Sequence, residues 1–197
     1  MPLIDRSDSL LVVVDVQPGF TRRPPRTDDE RAVAAATLER AIWLAGIAAR
    51  LDIPAVVTEE GPDRNSPTEP RLLERLAPTT PVLVKHTFGL AGSPDIVAAI
   101  RALDRTTAVL VGFETDVCVA QSAIGLRELG FRSVVVEDAA YTTGEAEQRR
   151  GLVRLAEAGV ERNHCKGVFY EWLREVEPAL ETLRADEAEH GPPPLRL

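Results

Sequence analysis

The chain has 197 residues, of which 44% are hydrophobic and 27% are charged, a balance that suits one globular domain and excludes a disordered chain. Its formal net charge of −8 argues against nucleic acid or an anionic membrane surface as a partner. Two cysteines cannot make a disulfide framework in a chain of this length, so both are predicted to be free thiols.

The start of the chain shows no targeting segment. Its longest apolar run is LLVVV (10–14), which is far shorter than a signal-peptide core or a membrane span. We therefore expect a cytoplasmic protein that has no membrane partner.

Strand-like and helix-like segments alternate along the chain. The predicted strands are short runs rich in Val, Leu and Ile, as expected when both faces of a sheet are covered. In chain order they are SLLVVVD (9–15), IPAVVTE (53–59), PVLVK (81–85), TTAVLVG (106–112), RSVVVED (132–138) and the weaker VERNHC (160–165). The predicted helices cover 28–51, 71–76, 93–103, 115–130, 145–159 and 166–176.

This alternation predicts an α/β fold, a single-domain Rossmann-like three-layer α/β/α arrangement with a mostly parallel six-stranded sheet. Thr27 or Asp28 is expected to cap the long first helix, and Ser93 the helix that begins with Pro94. The domain is predicted to span 1–184. The polar, proline-rich segment 185–197 is predicted to be a loose C-terminal tail.

Three predicted strands end in, or run directly into, residues that carry chemistry. Asp15 ends the first strand, Lys85 ends the third, and Cys118 follows the fourth at the start of a helix. Ligands of open α/β sheets bind outside the carboxyl ends of the strands, so these side chains can meet there. A thiol in the first turn of a helix lies near unpaired N–H groups and the positive end of the dipole. That position predicts a lowered pKa and a reactive thiolate.

Each of these residues also has a structural interpretation. Asp15 could cap the following Pro-Gly turn, Lys85 could extend to water, and Cys118 could be a buried thiol, the more common fate of a cysteine. Cys165, in RNHCKG, is interpreted as structural, because no apolar strand runs directly into a helix there. Its neighbour His164 would point to the opposite face of a strand, which disfavours a Cys–His pair.

Motifs for the common cofactors are missing from the sequence. There is no GxGxxG after the first strand, no Walker A loop and no GxSxG elbow. The three histidines, His86, His164 and His190, do not have the spacing of metal ligands. The sequence therefore predicts neither a cofactor nor a metal.

Four segments, in this order and spacing, resemble the isochorismatase-like cysteine hydrolases, a superfamily that includes nicotinamidases and carbamoylsarcosine amidases. LLVVVDVQPGF (10–20) resembles the first-strand motif with its Asp-x-Gln, and PVLVKHTFGLAGSPDI (81–96) resembles the lysine motif. VLVGFETDVCVAQSA (109–123) resembles the nucleophile motif, and VVVEDAAYT (134–142) the strand and loop that follow it. The resemblance covers about residues 10–172, which is most of the chain.

The resemblance implies a catalytic triad of Cys118, Asp15 and Lys85. It also implies a cis peptide bond between Phe113 and Glu114, and an oxyanion hole made by the backbone N–H groups of Glu114 and Cys118. Members of the superfamily commonly form dimers or larger homo-oligomers, so we expect a homo-oligomer here.

The pocket around these residues is where the resemblance is less complete. Phe20 and Phe88 are candidate apolar walls for a small planar substrate, with ordinary core packing as the alternative. Nicotinamidases carry a metal-binding Asp-x-His motif after the second strand, where this chain has Glu60 and Pro62. We therefore predict that the enzyme uses no metal.

The predicted function is a metal-independent cysteine hydrolase that cleaves a small amide-type C–N substrate through a thioester intermediate. Two alternatives stay open. One is an isochorismatase-type vinyl-ether hydrolase, which needs no thiol. The other is a non-catalytic α/β binding protein that keeps the fold alone.

Overall fold

A six-stranded parallel sheet with helices on both faces forms the centre of the molecule. The computed structural model describes residues 2–22 and 27–197. The strands lie in the order β3-β2-β1-β4-β5-β6, and the predicted α/β architecture is confirmed. They are β1 (Ser9–Val14), β2 (Ala55–Glu60), β3 (Val82–Lys85), β4 (Thr107–Phe113), β5 (Arg132–Tyr141) and β6 (Glu161–Asn163).

Helices connect these strands and cover the sheet. They are α1 (Pro18–Thr21), α2 (Asp28–Arg50), α3 (Pro62–Asn65), α4 (Pro70–Leu73), α5 (Pro94–Ala102), α6 (Ala120–Glu128), α7 (Glu145–Glu157), α8 (Cys165–Leu173) and α9 (Val176–His190). A π-helical turn, Thr115–Val119, leads into α6.

The apolar core has two parts, one on each face of the sheet. Because successive side chains of a strand point to opposite faces, β1 supplies both parts. Leu11 and Val13 pack on the face covered by α2 and α8. Leu10, Val12 and Val14 pack on the face covered by α5, α6 and α7.

The helix α2, with 23 residues, is the longest of the described helices. Of the two predicted caps, Thr27 is the one that caps it, through a reciprocal pair of hydrogen bonds with Glu30. By length and composition alone α2 could cross a membrane, but 61% of its most apolar stretch is buried inside the molecule. Its buried residues pack against the sheet, so α2 is a core helix here.

Two predicted features of the periphery differ from the structure. The edge strand β3 is covered on one face only, because Val82 and Val84 on its other face stay exposed. The predicted final helix, 166–176, ends earlier, at Leu173 of α8, because Arg174 adopts a left-handed backbone with φ 58°. The helix α9, which the sequence does not predict, follows it.

The predicted loose tail, 185–197, is wrong at its beginning. The helix α9 continues to His190, so the predicted domain boundary at residue 184 falls inside it. Asp186 on this helix is buried and pairs with Arg75 at 2.5 Å. Further on, Leu195 and Leu197 pack against the core. The sequence pattern misses this because the partner of Asp186 lies far away in the chain.

Candidate active site

The sheet brings Asp15, Lys85 and Cys118 together at the carboxyl edge of its strands. The Lys85 ammonium lies 2.7 Å from Asp15 Oδ2 and donates to Cys118 Sγ at 3.4 Å. The Asp15 carboxylate and the Cys118 thiol also lie near enough for each group to shift the pKa of the other. A third acceptor of the Lys85 ammonium is the carbonyl of Thr87, at 3.2 Å. Asp15 and Lys85 have fully buried side chains, and Cys118 is only 4% exposed.

A tight turn after β1 places Asp15. Its backbone is left-handed, with φ 51°, a conformation that aspartate tolerates better than most residues. The Asp15 N–H donates to Thr58 O at 3.1 Å, and Gln17 N–H donates back to Asp15 O at 2.8 Å. The Thr58 hydroxyl donates to Asp15 Oδ1 at 3.2 Å. The carboxylate is thus held from both the backbone and the side chain.

The turn that carries Cys118 begins at an irregular peptide. The Phe113–Glu114 bond is cis, and the π-helical turn follows at once. Within this turn the Glu114 carbonyl accepts hydrogen bonds from the N–H groups of Val117 and Val119. The Cys118 side chain therefore faces inward, towards the sheet edge and the Lys85 ammonium.

The prediction of a lowered thiol pKa is wrong for this resting site. Burial and the nearby Asp15 carboxylate raise the pKa of Cys118 to about 12, and the Lys85 ammonium only partly opposes them. The loss of water around the buried thiol is the largest of these effects. The thiol is consequently protonated at neutral pH and has to be deprotonated when it reacts.

Asp15 is suited to accept that proton. Burial raises its pKa to about 6, while the Lys85 ammonium and hydrogen bonds from Lys85, Cys118 and Thr58 lower it. The carboxylate is therefore largely ionised at neutral pH, yet more basic than an exposed aspartate. A basicity close to the working pH is what a general base requires.

The two candidate wall residues lie in different surroundings. Phe20 is 5% exposed and belongs to the core on the α2 face, as its alternative interpretation proposes. Phe88 is 57% exposed and lines a surface groove with Thr87 and Gln121. A contact between either ring and a substrate stays a prediction.

The residues at the positions of the nicotinamidase metal motif, Glu60 and Pro62, do not fit a metal centre. The Glu60 carboxylate is already bound by Arg64 at 2.7 Å and by Asn65 at 2.6 Å. Pro62 has no ligand atom in its side chain and begins α3. Within residues 2–22 and 27–197, no group of three or more His, Cys, Asp or Glu side chains is arranged to hold a metal ion.

Two buried polar side chains that are not among the predicted site residues hold the loop after β2. Gln17 Nε2 donates to Ser66 O at 2.6 Å, and Gln17 Oε1 accepts from Glu60 N–H at 2.8 Å. The Glu59 carboxylate accepts from both the N–H and the hydroxyl of Thr68, at 2.6 and 2.8 Å. The Asp-x-Gln pattern contains the signal for Gln17, since a polar residue so near a buried strand needs partners.

The sequence places Cys165 at the end of the sixth predicted strand, whereas the structure places it at the start of α8, separated by one residue from the end of the polar strand β6. Its N–H donates to Asp138 at 2.8 Å, and the side chain is fully buried. His164 caps the same helix by accepting from the Gly167 N–H at 2.7 Å, which occupies Nδ1. This arrangement supports the structural interpretation of Cys165.

Comparisons with known proteins agree with this fold. Residues 9–162 match the family model of the isochorismatase domain. The chain is 27% identical over 193 residues to the probable hydrolase YcaC of Escherichia coli, an alignment that covers 96% of this chain and 89% of that protein.

Solved structures show the same likeness. E. coli YcaC, described as an octameric hydrolase of unknown specificity, matches with a TM-score of 0.85 and 24% identity over 96% of this chain and 91% of that chain. YcaC from Pseudomonas aeruginosa, solved with hexane-2,5-diol and covalent acrylamide, matches with a TM-score of 0.84 and 26% identity over 95% and 91%. With the family match spanning most of its length, this chain belongs to the isochorismatase-like family of hydrolases.

Proposed function

We propose that this protein is a metal-independent cysteine hydrolase that cleaves a small amide-type substrate through a thioester on Cys118. The observation that carries the proposal is the buried contact of a thiol with an ion pair, Asp15 and Lys85. A buried ion pair is costly to desolvate, so its presence beside a thiol favours a chemical role over a purely structural one.

The first half of the reaction forms the thioester. Asp15 takes the proton of the Cys118 thiol while the sulfur attacks the amide carbonyl carbon. Lys85 stabilises the negative charge that develops on sulfur. Backbone N–H groups of Glu114 and Cys118 are the proposed donors to the oxyanion, and a donor of this kind contributes about 3 kcal/mol in other hydrolases. The C–N bond then breaks, and the leaving nitrogen receives the proton from Asp15.

The second half releases the acid. Asp15, ionised again, takes a proton from a water molecule that attacks the thioester carbonyl. The C–S bond breaks, the proton returns to sulfur, and the product leaves as a carboxylic acid. Each proton taken up by Asp15 is thus delivered within the same half-reaction, so no external acid, metal or redox partner is needed.

One relative supports the proposal of covalent chemistry. The P. aeruginosa YcaC structure contains covalent acrylamide, an electrophile that carries an amide. We propose that Cys118 is the residue that would take up acrylamide in this chain, because Cys165 is fully buried against α2 and has a pKa raised well above its usual value by burial.

The test combines labelling with turnover. Acrylamide labelling of the native protein, followed by peptide mass spectrometry, should modify Cys118 and leave Cys165 unmodified. A panel of small primary amides is then screened for ammonia release. Cys118→Ala should abolish the ammonia release that the screen detects, whereas the matched variant Cys165→Ala should retain it.

Other results would select the alternatives. Full turnover by Cys118→Ala on the true substrate would favour vinyl-ether hydrolysis, which requires no nucleophilic thiol. Equal and slow labelling of both cysteines, with no turnover of any amide, would favour a non-catalytic binding protein.

We further propose that the protein is a cytoplasmic homo-oligomer acting on a small molecule. The octameric state described for E. coli YcaC supports self-association. The net charge of −8 and two free cysteines fit a reducing compartment without a nucleic-acid partner. Light scattering on the purified protein would reveal a monomer if the assembly is wrong.

A further inference from the structure

Thr58 lies beside Asp15 in the sheet and contacts it twice. Because β1 and β2 pair in register, with Val14 opposite Thr58, the Asp15 N–H reaches Thr58 O at 3.1 Å. The Thr58 hydroxyl donates to Asp15 Oδ1 at 3.2 Å and lies 3.4 Å from Val13 O. Thr58 is fully buried, so water cannot replace its hydroxyl as a partner of the carboxylate.

The two oxygens of the Asp15 carboxylate therefore have different neighbours. Oδ2 faces the Lys85 ammonium at 2.7 Å, and Oδ1 faces Thr58. The torsion that turns a carboxylate plane is broad and has no sharp staggered minimum. Lys85 alone would leave the plane free to rotate about the contact with Oδ2. A second partner on Oδ1 removes that freedom.

Building on the proposed function, we propose that Thr58 is a positioning residue whose hydroxyl fixes the carboxylate plane of Asp15 so that the base faces the Cys118 thiol. The titratable groups that face Asp15 are Lys85, from β3, and Cys118, from the turn after β4. Neither is changed by a substitution at Thr58. A hydrogen bond to the ionised carboxylate also favours that form, so removing it should make Asp15 harder to ionise.

The test measures how fast iodoacetamide alkylates Cys118 at different pH values, by mass spectrometry of the whole chain with every variant in a Cys165→Ala background. This readout requires no knowledge of the substrate. In Thr58→Val, the acidic limb of the rate profile should move upward by about one pH unit, the shift expected when a hydrogen bond to a charged group is lost. Thr58→Ser keeps a hydroxyl and should retain the unsubstituted profile.

A matched control lies at the amino ends of the strands, on the side of the sheet opposite to the site. The hydroxyl of Thr107, which is also buried, donates to Asp8 at 3.0 Å. Thr107→Val removes the same kind of bond far from Cys118 and should leave the acidic limb where it is. Circular dichroism verifies that each variant is folded, and Thr58→Ala replaces Thr58→Val if the valine variant is not.

Asp15→Asn separates failure of this inference from failure of the proposed function. If Asp15→Asn removes the acidic limb but the folded Thr58→Val or Thr58→Ala variant leaves it unmoved, the role of Thr58 is wrong and the proposed base stands. If Asp15→Asn retains the limb, Asp15 is not the base, and both proposals are overturned.

Discussion

Asp15 and Lys85 form an ion pair where water does not reach, and the pair controls the protonation of the thiol beside it. Burial raises the pKa of Asp15 to about 6 against the opposing Lys85 ammonium. Burial and the Asp15 charge raise the pKa of Cys118 to about 12. The resting site thus holds a neutral thiol and an ionised base, and the thiolate exists only while the proton moves.

The activity should therefore depend on pH through Asp15. Since the pKa of Asp15 is raised to about 6, the base becomes protonated as the pH falls through that value. We expect kcat/KM to fall about tenfold per pH unit below that point. Initial rates measured across the acidic range check this. A rate that stays constant down to about pH 4, where an ordinary aspartate titrates, would contradict it.

Substitutions on either side of the ion pair should move the thiol pKa in opposite directions. Asp15→Asn removes a negative charge that raises the pKa of Cys118, so the pKa should fall below about 12. Lys85→Met removes a cation that lowers it, so the pKa should rise. Ultraviolet absorbance of the thiolate, measured against pH in a Cys165→Ala background, reports both shifts.

Measurements of turnover in the same two variants test whether the amount of thiolate alone determines the activity. Both variants should lose activity, because one lacks the base and the other lacks the stabilising cation. An active Asp15→Asn enzyme with a lowered thiol pKa would show that a preformed thiolate is sufficient.

The identity of these three residues can be predicted from the sequence, whereas their protonation cannot. Their positions follow from strand ends in a parallel sheet, a pattern visible in the order of the residues. The pKa of Cys118 depends on its burial and on its contact with Asp15, a residue distant in sequence. The position of a cysteine at a helix start reveals neither its burial nor its neighbours, which is why the prediction of a thiolate is wrong here.

At the scale of elements, the pairing of β1 with β4 aligns the segments that carry the base and the thiol. Val14 lies opposite Gly112, and a Cβ on Gly112 would fall 1.9 Å from Val14 O. Gly112 also has φ +134°, a backbone conformation that other residues rarely adopt. No other residue can replace it unless the two strands separate.

Gly112→Ala should therefore destabilise the fold by about 3 kcal/mol, through the clash with Val14 and the unfavourable backbone angle. Gly130→Ala is the matched control, since Gly130 has φ +94° but nothing within 4 Å of the added Cβ. It should cost about 1 kcal/mol, from the backbone angle alone. Urea unfolding of both variants checks the difference, and equal losses would show that the clash is absorbed.

The elements can be predicted from the sequence where the apolar pattern is strong. The prediction fails where that pattern is weak. The Val-rich strands β1, β4 and β5 have the pattern of a covered parallel sheet. The polar strand β6 has only three residues, so the start of α8 at Cys165 could not be located from periodicity. The backbone of β6 is fixed by its pairing with β5, and periodicity within one segment does not show such a contact between two segments.

At the scale of the whole molecule, a buried ion pair connects the C-terminal helix α9 to the rest of the domain. Asp186 on α9 is buried and lies 2.5 Å from the Arg75 guanidinium. Arg75 crosses α2 at Gly46, where a Cβ would fall 2.0 Å from its guanidinium. A loose tail would not form a buried ion pair of this kind.

Asp186→Ala should destabilise the protein by about 3 kcal/mol, because it leaves Arg75 mostly buried without its partner. The control is Glu189→Ala, which removes an acid of the same helix that pairs with Arg50 at 2.7 Å but is exposed. That change should have little effect on stability. Thermal unfolding distinguishes the two, and similar melting temperatures for both variants would show that α9 contributes little.

The surroundings of Lys85 also bear on the design of inhibitors. An ammonium group has three hydrogens, and those of Lys85 face Asp15, Cys118 and the Thr87 carbonyl. An anionic inhibitor group directed at this lysine would have to displace one of these three partners from a buried site. Selectivity should instead come from an electrophile that reaches the sulfur and from groups that contact the surrounding loops, while the lysine remains an internal counter-charge.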